Sequence, residues 1–167
     1  MKSVLVVVAG AAWLALSGCV YEVALSSESR QATDKAMFGL WETVGDDGQI
    51  MTLVVLPLNE KEYLVNYPSN SKEGMFFRAF VAQTGEQPIM QFQILGTAAG
   101  QIPENRRVYH YGTFRLNAQE LVLRLLNPEV VSKDVASPEA LAKAIADSRE
   151  NPAQFNEQVV FHRVKQP

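Results

Sequence analysis

Residues 37–58, MFGLWETVGDDGQIMTLVVLPL, decide the fold of this chain. Two apolar runs, residues 37–44 and 50–58, flank the tetrapeptide Gly45-Asp46-Asp47-Gly48. Glycine and aspartate accept the backbone conformations that tight turns require, and such a turn between two apolar runs is typical of a β-hairpin. The stretch therefore predicts two neighbouring antiparallel strands.

The same pattern of short apolar runs and turn signals continues along the rest of the chain. Further strand-like runs cover residues 62–67, 75–83, 89–95, 107–116, 121–126 and 158–164, which makes eight with the first two. Their close spacing favours an antiparallel meander over alternating strands and helices. Closure of such a sheet removes its exposed edges. We therefore predict a mostly β fold of about eight strands, closed into a barrel.

One α-helix is predicted shortly before the last strand. Ser137-Pro138-Glu139 combines an N-cap residue, a proline at the first helical position and an acidic residue in the first turn. Residues 140–148 are mostly helix formers, and Asn151-Pro152 follows them as a stop signal. The apolar stripe on this helix is narrow, so we expect the helix to lie on the domain surface or across one barrel opening.

The tripeptide Gly39-Leu40-Trp41 at the start of the first strand resembles the first sequence motif of lipocalins and lipocalin-like domains. This resemblance implies an eight-stranded barrel in which Trp41 packs at the closed end, often against an arginine from near the last strand, here Arg163. It also implies that the barrel interior binds a small apolar or lipid-like ligand. The second lipocalin motif has no clear match, and the predicted helix precedes the last strand, whereas it follows that strand in typical lipocalins.

The N-terminus resembles a bacterial lipoprotein signal. Lys2 and an apolar run at residues 4–16 precede Leu16-Ser17-Gly18-Cys19. The run is too short to span a bilayer, which takes about 20 residues, but it fits a cleaved signal. We expect residues 1–18 to be removed, Cys19 to carry the lipid, residues 19–36 to form a lipidated N-terminus and tether, and residues 37–167 to form the domain. The alternatives are an ordinary signal peptide and a buried helix, with Cys19 at this place by chance.

The resemblance to lipoproteins also implies a location. Val20 follows the cysteine, and in the proteobacterial pattern a residue other than aspartate at this place favours the outer membrane over the inner one. We therefore expect a periplasm-facing protein held to the outer membrane by its N-terminal lipid. Part of residues 19–36, from Tyr21 to Leu25, has enough apolar character to pack on the domain instead of serving as a free tether.

Composition excludes several classes of partner and site. The chain has 15 basic and 18 acidic residues, so it lacks the positive charge of a nucleic-acid-binding protein. Cys19 is the single cysteine, which excludes a disulfide or a thiolate metal site within the mature domain. The expected partners are therefore a membrane, reached through the lipid, and a small apolar ligand or an envelope protein.

Recognisable catalytic motifs are absent from the sequence. No serine lies in a Gly-x-Ser-x-Gly elbow, and no glycine-rich loop precedes a helix. His110 and His162 are the two histidines, and neither has a carboxylate at a metal-ligand spacing on its strand. We therefore expect no catalytic residue, no metal and no cofactor, and we expect both histidines near a rim or the surface. The chain is not expected to be an enzyme.

Two arginines interrupt otherwise apolar strands. Arg78 lies between Phe77 and Ala79, and Arg124 lies between Leu123 and Leu125. An unpaired buried charge is strongly unfavourable, so each arginine either faces water or pairs inside a pocket. In the second case it would hold the anionic head of a lipid. The candidate ligand-binding residues are then Arg78, Arg124, Trp41 and Phe80, with the lipid tail near Phe76, Phe80 and Met90.

Both faces of several strands are apolar, notably at residues 50–58, 75–82 and 121–126. A barrel with one core and a wet exterior predicts alternation instead. Either the helix and the tether cover one side, or an exposed patch docks a partner, with tyrosines at its surface (Tyr63, Tyr67, Tyr109 and Tyr111). Two functions stay open: a module that binds a small apolar ligand, and a structural or protein-interaction module of the cell envelope with a filled barrel.

Overall fold

The computed structural model describes residues 20–165 except 30, 85–86 and 105, and within this part the chain forms a closed antiparallel β-barrel. Each of its eight strands pairs with the next, and the first pairs with the last. The strands are β1 (Gly39–Val44), β2 (Ile50–Pro57), β3 (Tyr63–Tyr67), β4 (Met75–Thr84), β5 (Gln87–Thr97), β6 (Tyr109–Leu116), β7 (Glu120–Leu125) and β8 (Val159–Arg163). The predicted mostly β fold is confirmed. The predicted signal peptide and Cys19 lie outside the described residues.

The two ends of the barrel differ because consecutive strands run in opposite directions. The short connections β2–β3, β4–β5 and β6–β7 lie at one end, together with a 3-10 helix at Lys35–Met37 that leads into β1. We call this the short-loop end. The turn at residues 45–49 and the connections β3–β4, β5–β6 and β7–β8 lie at the other, long-loop end. The β7–β8 connection contains the helix α1 (Pro138–Asp147).

Strand alternation divides the apolar residues between two layers. Side chains of all eight strands, among them Val55, Phe77 and Met90, meet inside the barrel. A second cluster lies on the outer wall and joins outward-facing barrel residues to α1 and its flanking segments: Tyr21, Ile89, Tyr111, Leu126, Val131, Leu141, Ile145 and Phe155. The strands between β4 and β7 therefore bury apolar side chains on both of their faces.

Helix α1 packs against the outer wall of the barrel, so of the two expected positions it takes the one on the domain surface. It begins at the predicted N-cap, where the Ser137 hydroxyl accepts a hydrogen bond from the Ala140 amide at 3.1 Å. Leu141 and Ile145 face the outer cluster and are fully buried. The side chain of Gln154 donates to the Ile145 carbonyl at 2.7 Å and fixes the chain that leaves the helix.

Residues 20–29 and 31–34, here called the N-terminal strip, run along the outer wall from the long-loop end to the short-loop end. The Tyr21 amide donates to the carbonyl of Tyr109 at 2.8 Å, at the start of β6. The Leu25 amide donates to Gln91 in the middle of β5, at 2.8 Å, and the Thr33 amide donates to Glu60 in the β2–β3 turn, at 3.0 Å. The sequence left open whether Tyr21–Leu25 pack on the domain, and the structure shows that they do.

Helix α1 and the N-terminal strip cover the outer faces of the strands that are apolar on both sides. These strands therefore do not present an exposed patch rich in tyrosine. Tyr63 and Tyr67 face the barrel interior, and Tyr111 lies under the N-terminal strip with 1% of its surface exposed. The expectation that these tyrosines line an exposed surface is therefore wrong. The hydroxyl of Tyr111 instead donates a hydrogen bond to the Val23 carbonyl of the strip.

Candidate functional site: the barrel cavity

The barrel interior encloses an apolar cavity of about 160 Å³. Every strand contributes to its wall except β1, whose place is taken by Met37 of the 3-10 helix. The lining side chains are Met37, Leu53, Val55, Val65, Tyr67, Phe77, Met90, Phe92, His110, Phe114, Leu121, Leu123, Leu125, Asn156, Glu157, Val159 and Phe161. Space of this size and character can hold a small apolar molecule.

The cavity reaches the protein surface at the long-loop end. Asn156, Glu157 and Val159 line it there, where the β7–β8 connection enters β8. Glu157 and Val159 are exposed and Asn156 is half-buried. These residues therefore form the mouth of the cavity.

His110 is the most buried polar side chain of the cavity wall. It is 1% exposed, and its ring lies edge-on to that of Phe77 with 6.0 Å between the ring centres. Neither ring nitrogen has a hydrogen-bond partner among the residues that the structure describes. Burial lowers the pKa of His110 to about 4, so the imidazole is neutral at pH 7. The wall of the cavity therefore holds one buried donor and one buried acceptor without a partner among the described residues.

The two histidines differ from each other in position. The side chain of His162 is exposed, 3.8 Å from Glu120, as expected for a surface residue. His110 is buried, so the expectation of a surface position is wrong for it, although it is the second residue of β6, which begins at the long-loop end. The signal was present in the alternation of β6, since Tyr109 and Tyr111 face the outer cluster while Phe114 faces inward in phase with His110.

Trp41 and Arg163 close the short-loop end. The guanidinium carbon of Arg163 lies 4.0 Å from the centre of the Trp41 ring, and Trp41 donates from Nε1 to the Met37 carbonyl at 3.0 Å. Arg163 also donates to the carbonyls of Phe38, at 3.0 Å, and of Ala36. The contact that the resemblance implied between these two side chains is present. Trp41 is fully buried beneath the arginine and does not line the cavity.

Arg78 lies on the outer wall and has an outer-wall partner. Its guanidinium pairs with the carboxylate of Glu62 in the β2–β3 turn and donates to the Ser27 carbonyl of the N-terminal strip at 3.3 Å. The hydrogen bond from Arg78 lowers the pKa of Glu62. The Arg78 guanidinium also lies over the ring of Phe80, 5.1 Å from its centre. Arg78 therefore binds the N-terminal strip to the outer wall and does not contact the interior of the barrel.

Arg124 lies on the outer wall as well. It donates to the carbonyls of Phe155 and Asn156, both at 2.9 Å, and so holds the segment that precedes β8. Its guanidinium lies 5.8 Å from the centre of the Phe155 ring. None of the four candidate ligand-binding residues, Arg78, Arg124, Trp41 and Phe80, lines the cavity. Of the proposed tail contacts, Met90 lines it, whereas Phe76 and Phe80 do not.

The described part of the chain shows neither a metal-binding cluster nor a membrane-spanning helix. No cluster of three or more histidine, cysteine, aspartate or glutamate side chains in residues 20–165, gaps aside, has the arrangement of a metal site. Within the same residues, no helix combines the length and the apolar character needed to cross a bilayer.

The chain matches no protein-family model. A comparison with curated proteins likewise finds no significant match. The barrel, its cavity and the N-terminal sequence are therefore the features that bear on function.

Proposed function

We propose that this chain is a lipid-anchored protein of the bacterial envelope whose β-barrel binds a small apolar molecule. The observation that carries the proposal is the apolar cavity of about 160 Å³ that opens at the long-loop end. Protein interiors are close-packed, and voids larger than a water molecule are few. A cavity of this size favours ligand binding over the alternative of a structural module with a filled barrel.

The size of the cavity limits its occupant. An apolar cavity of about 150 Å³ in another protein binds a single benzene ring. A ligand of similar size fits the 160 Å³ here, whereas a long acyl chain would extend through the mouth. Because Arg78 and Arg124 are engaged on the outer wall, neither is available in the interior for an anionic head group. The proposed ligand is therefore a small apolar molecule rather than a complete lipid.

The position of the N-terminal strip supports an orientation for the anchored protein. Tyr21 is fixed to Tyr109 at the long-loop end, and two residues of extended chain span at most about 7 Å. A lipid on Cys19 would therefore hold this end next to the bilayer. Four exposed apolar side chains belong to the same end, beside the first turn, in the β5–β6 connection and at the start of β8: Val44, Ile50, Ile102 and Val159. Two others, Leu56 and Leu58, lie at the short-loop end. We propose that the mouth faces the membrane and that ligand enters from it.

Ligand binding can be tested with benzene and the mature chain made soluble by Cys19→Ala. We expect benzene to raise Tm, because a ligand that binds only the folded state adds about 1.4 kcal/mol of stability at ten times its Kd. Leu123→Trp, which places a larger side chain in the cavity, should abolish this shift. Val122→Trp is the matched control, because Val122 faces the opposite side of β7 and should leave the shift intact.

Native mass spectrometry of the protein purified from its own membrane provides the independent measurement. A bound molecule that is retained by the unmodified chain and lost by Leu123→Trp would support the proposed function. If benzene leaves Tm unchanged and no small molecule accompanies the protein, ligand binding in the barrel is excluded.

A further inference from the structure

We propose that the cavity ligand is an uncharged molecule of about one aromatic ring that bears a hydroxyl group, and that this hydroxyl forms a hydrogen bond with His110. The inference rests on the proposed function and adds the chemical class of the ligand. It starts from the side chain of His110, which is 1% exposed, lines the cavity and lacks a partner for either ring nitrogen among the described residues.

The position of His110 in the wall makes it the recognition group. Its strand partner in the register is Phe92, and both side chains line the cavity. The other polar side chains of the wall are placed differently: the Tyr67 hydroxyl already donates to the Met51 sulfur at 3.4 Å, and Asn156 and Glu157 lie at the mouth. His110 is thus the wall residue whose polar atoms are buried and lack a partner among the described residues. Because both ring nitrogens are buried, a small rotation of the ring has to bring one of them to a polar group of the ligand.

A hydroxyl group matches the hydrogen-bonding capacity of this histidine. A neutral imidazole has one N–H donor and one nitrogen acceptor, and a hydroxyl can both donate and accept. A hydroxyl therefore satisfies His110 in either tautomer. Leaving a buried polar group unpaired is unfavourable, so a ligand that supplies the partner gains affinity relative to one of the same shape that does not.

The charges around the cavity favour an uncharged ligand over a carboxylate. No lysine or arginine is among the lining residues that the structure describes, and the carboxylate of Glu157 at the mouth has the same sign as an entering anion. Burial of an anion without a cationic partner is strongly unfavourable. The neutral state of His110 at pH 7 agrees with this preference.

Phenol and toluene provide a matched pair of probes, because they have nearly the same shape and differ by a hydroxyl in place of a methyl group. We would measure both Kd values with the soluble mature chain and with His110→Leu. We expect the affinity for phenol relative to toluene to fall by about 3- to 10-fold in His110→Leu, the range that corresponds to one hydrogen bond. His162→Leu, at an exposed site, is the control and should leave the ratio unchanged.

Nitrogen-15 NMR of labelled histidine gives a second readout that needs no substitution. The chain has two histidines, so two pairs of ring signals are expected. Phenol should shift a ring nitrogen of His110 and leave His162 in place, and toluene should shift neither nitrogen by a comparable amount. This measurement decides the question even if His110→Leu does not fold.

The outcomes separate the two proposals. Binding of both probes with an unchanged ratio in His110→Leu, or with no shift of a His110 nitrogen on phenol binding, overturns the role of His110 and leaves the proposed function standing. Tighter binding of benzoate than of phenol at pH 7 overturns the preference for an uncharged ligand. Failure of phenol and toluene alike to bind overturns both proposals.

Discussion

At the scale of single residues, burial controls the charge of His110. No charged side chain is responsible for its lowered pKa, since desolvation is the cause. In the unfolded chain the imidazole titrates near its ordinary value of about 6.5. Between pH 6.5 and about 4, the unfolded state therefore binds a proton that the folded state does not.

This difference predicts an acid-sensitive stability. The contribution of His110 is fully present above pH 6.5 and is lost as the pH falls toward 4, by up to about 3 kcal/mol. We expect His110→Leu to lack this loss, so that its free energy of unfolding depends less on pH than that of the unmodified chain. Urea unfolding at pH 4.5 and pH 7.5 measures the difference. Parallel pH dependences for the two chains would show that His110 is not buried.

Gly39 shows why a short motif can specify a local structure. Its φ angle is +132°, a conformation that residues with a side chain rarely adopt, and a Cβ atom there would lie 3.2 Å from a guanidinium nitrogen of Arg163. Glycine thus leaves room for the arginine that covers Trp41. The resemblance to the lipocalin motif implied the contact between Trp41 and Arg163, because that contact depends on particular residue types at fixed positions of the motif.

At the scale of elements, the N-terminal strip is part of the packed structure. Tyr21 is fully buried in the outer cluster, and its hydroxyl donates to the Val131 carbonyl at 2.8 Å. A free tether would make neither of these contacts with the domain. The strip also connects the two ends of the barrel along the outer wall, so its packing bears on the stability of the whole domain.

Substitution of Tyr21 tests this interpretation. We expect Tyr21→Ala to reduce the free energy of unfolding by about 3 kcal/mol or more, because it removes a buried aromatic side chain. Tyr21→Phe should cost about 1 kcal/mol, since it removes the hydrogen bond alone. Glu28→Ala, at an exposed position of the same strip, is the control and should change little. If urea unfolding of Tyr21→Ala matches that of the unmodified chain, the N-terminal strip does not stabilise the domain and acts as a tether.

The strand and helix positions could be predicted from the sequence, whereas the contents of the cavity could not. Turn residues and apolar runs are local signals. From them the ends of β2 and α1 are predicted to within one or two residues of their positions in the structure. Which face of a strand points inward is not local when both faces are apolar, as at Phe76 and Phe77. The placement of Arg78 and Phe80 outside, and of His110 inside, follows from the register and from what covers the wall.

At the scale of the whole molecule, the proposed anchor and the cavity mouth belong to the same end. Ile102 in the β5–β6 connection is 75% exposed at this end, and Glu60 is exposed in the β2–β3 turn at the other. If Cys19 is lipidated, Ile102 lies next to the bilayer and Glu60 lies away from it.

Fluorescence quenching can measure this orientation. Cys19 is the single cysteine of the sequence, so Ile102→Cys or Glu60→Cys adds one thiol for a fluorescent label. In the lipidated protein on vesicles with brominated lipid, we expect strong quenching of the label at 102 and weak quenching at 60. Addition of Cys19→Ala should abolish the difference. Equal quenching at the two sites with Cys19 intact would contradict the proposed orientation.

The outer cluster affects how well the fold tolerates substitutions inside the barrel. An unfilled interior loses van der Waals contacts, but α1 and its flanking segments give β5 and β6 a separate apolar layer on their outer face. Rigidity of the wall therefore depends less on what fills the lumen. Substitutions inside the barrel should alter selectivity more readily than they alter folding, which makes the chain a suitable starting point for engineering new small-molecule receptors.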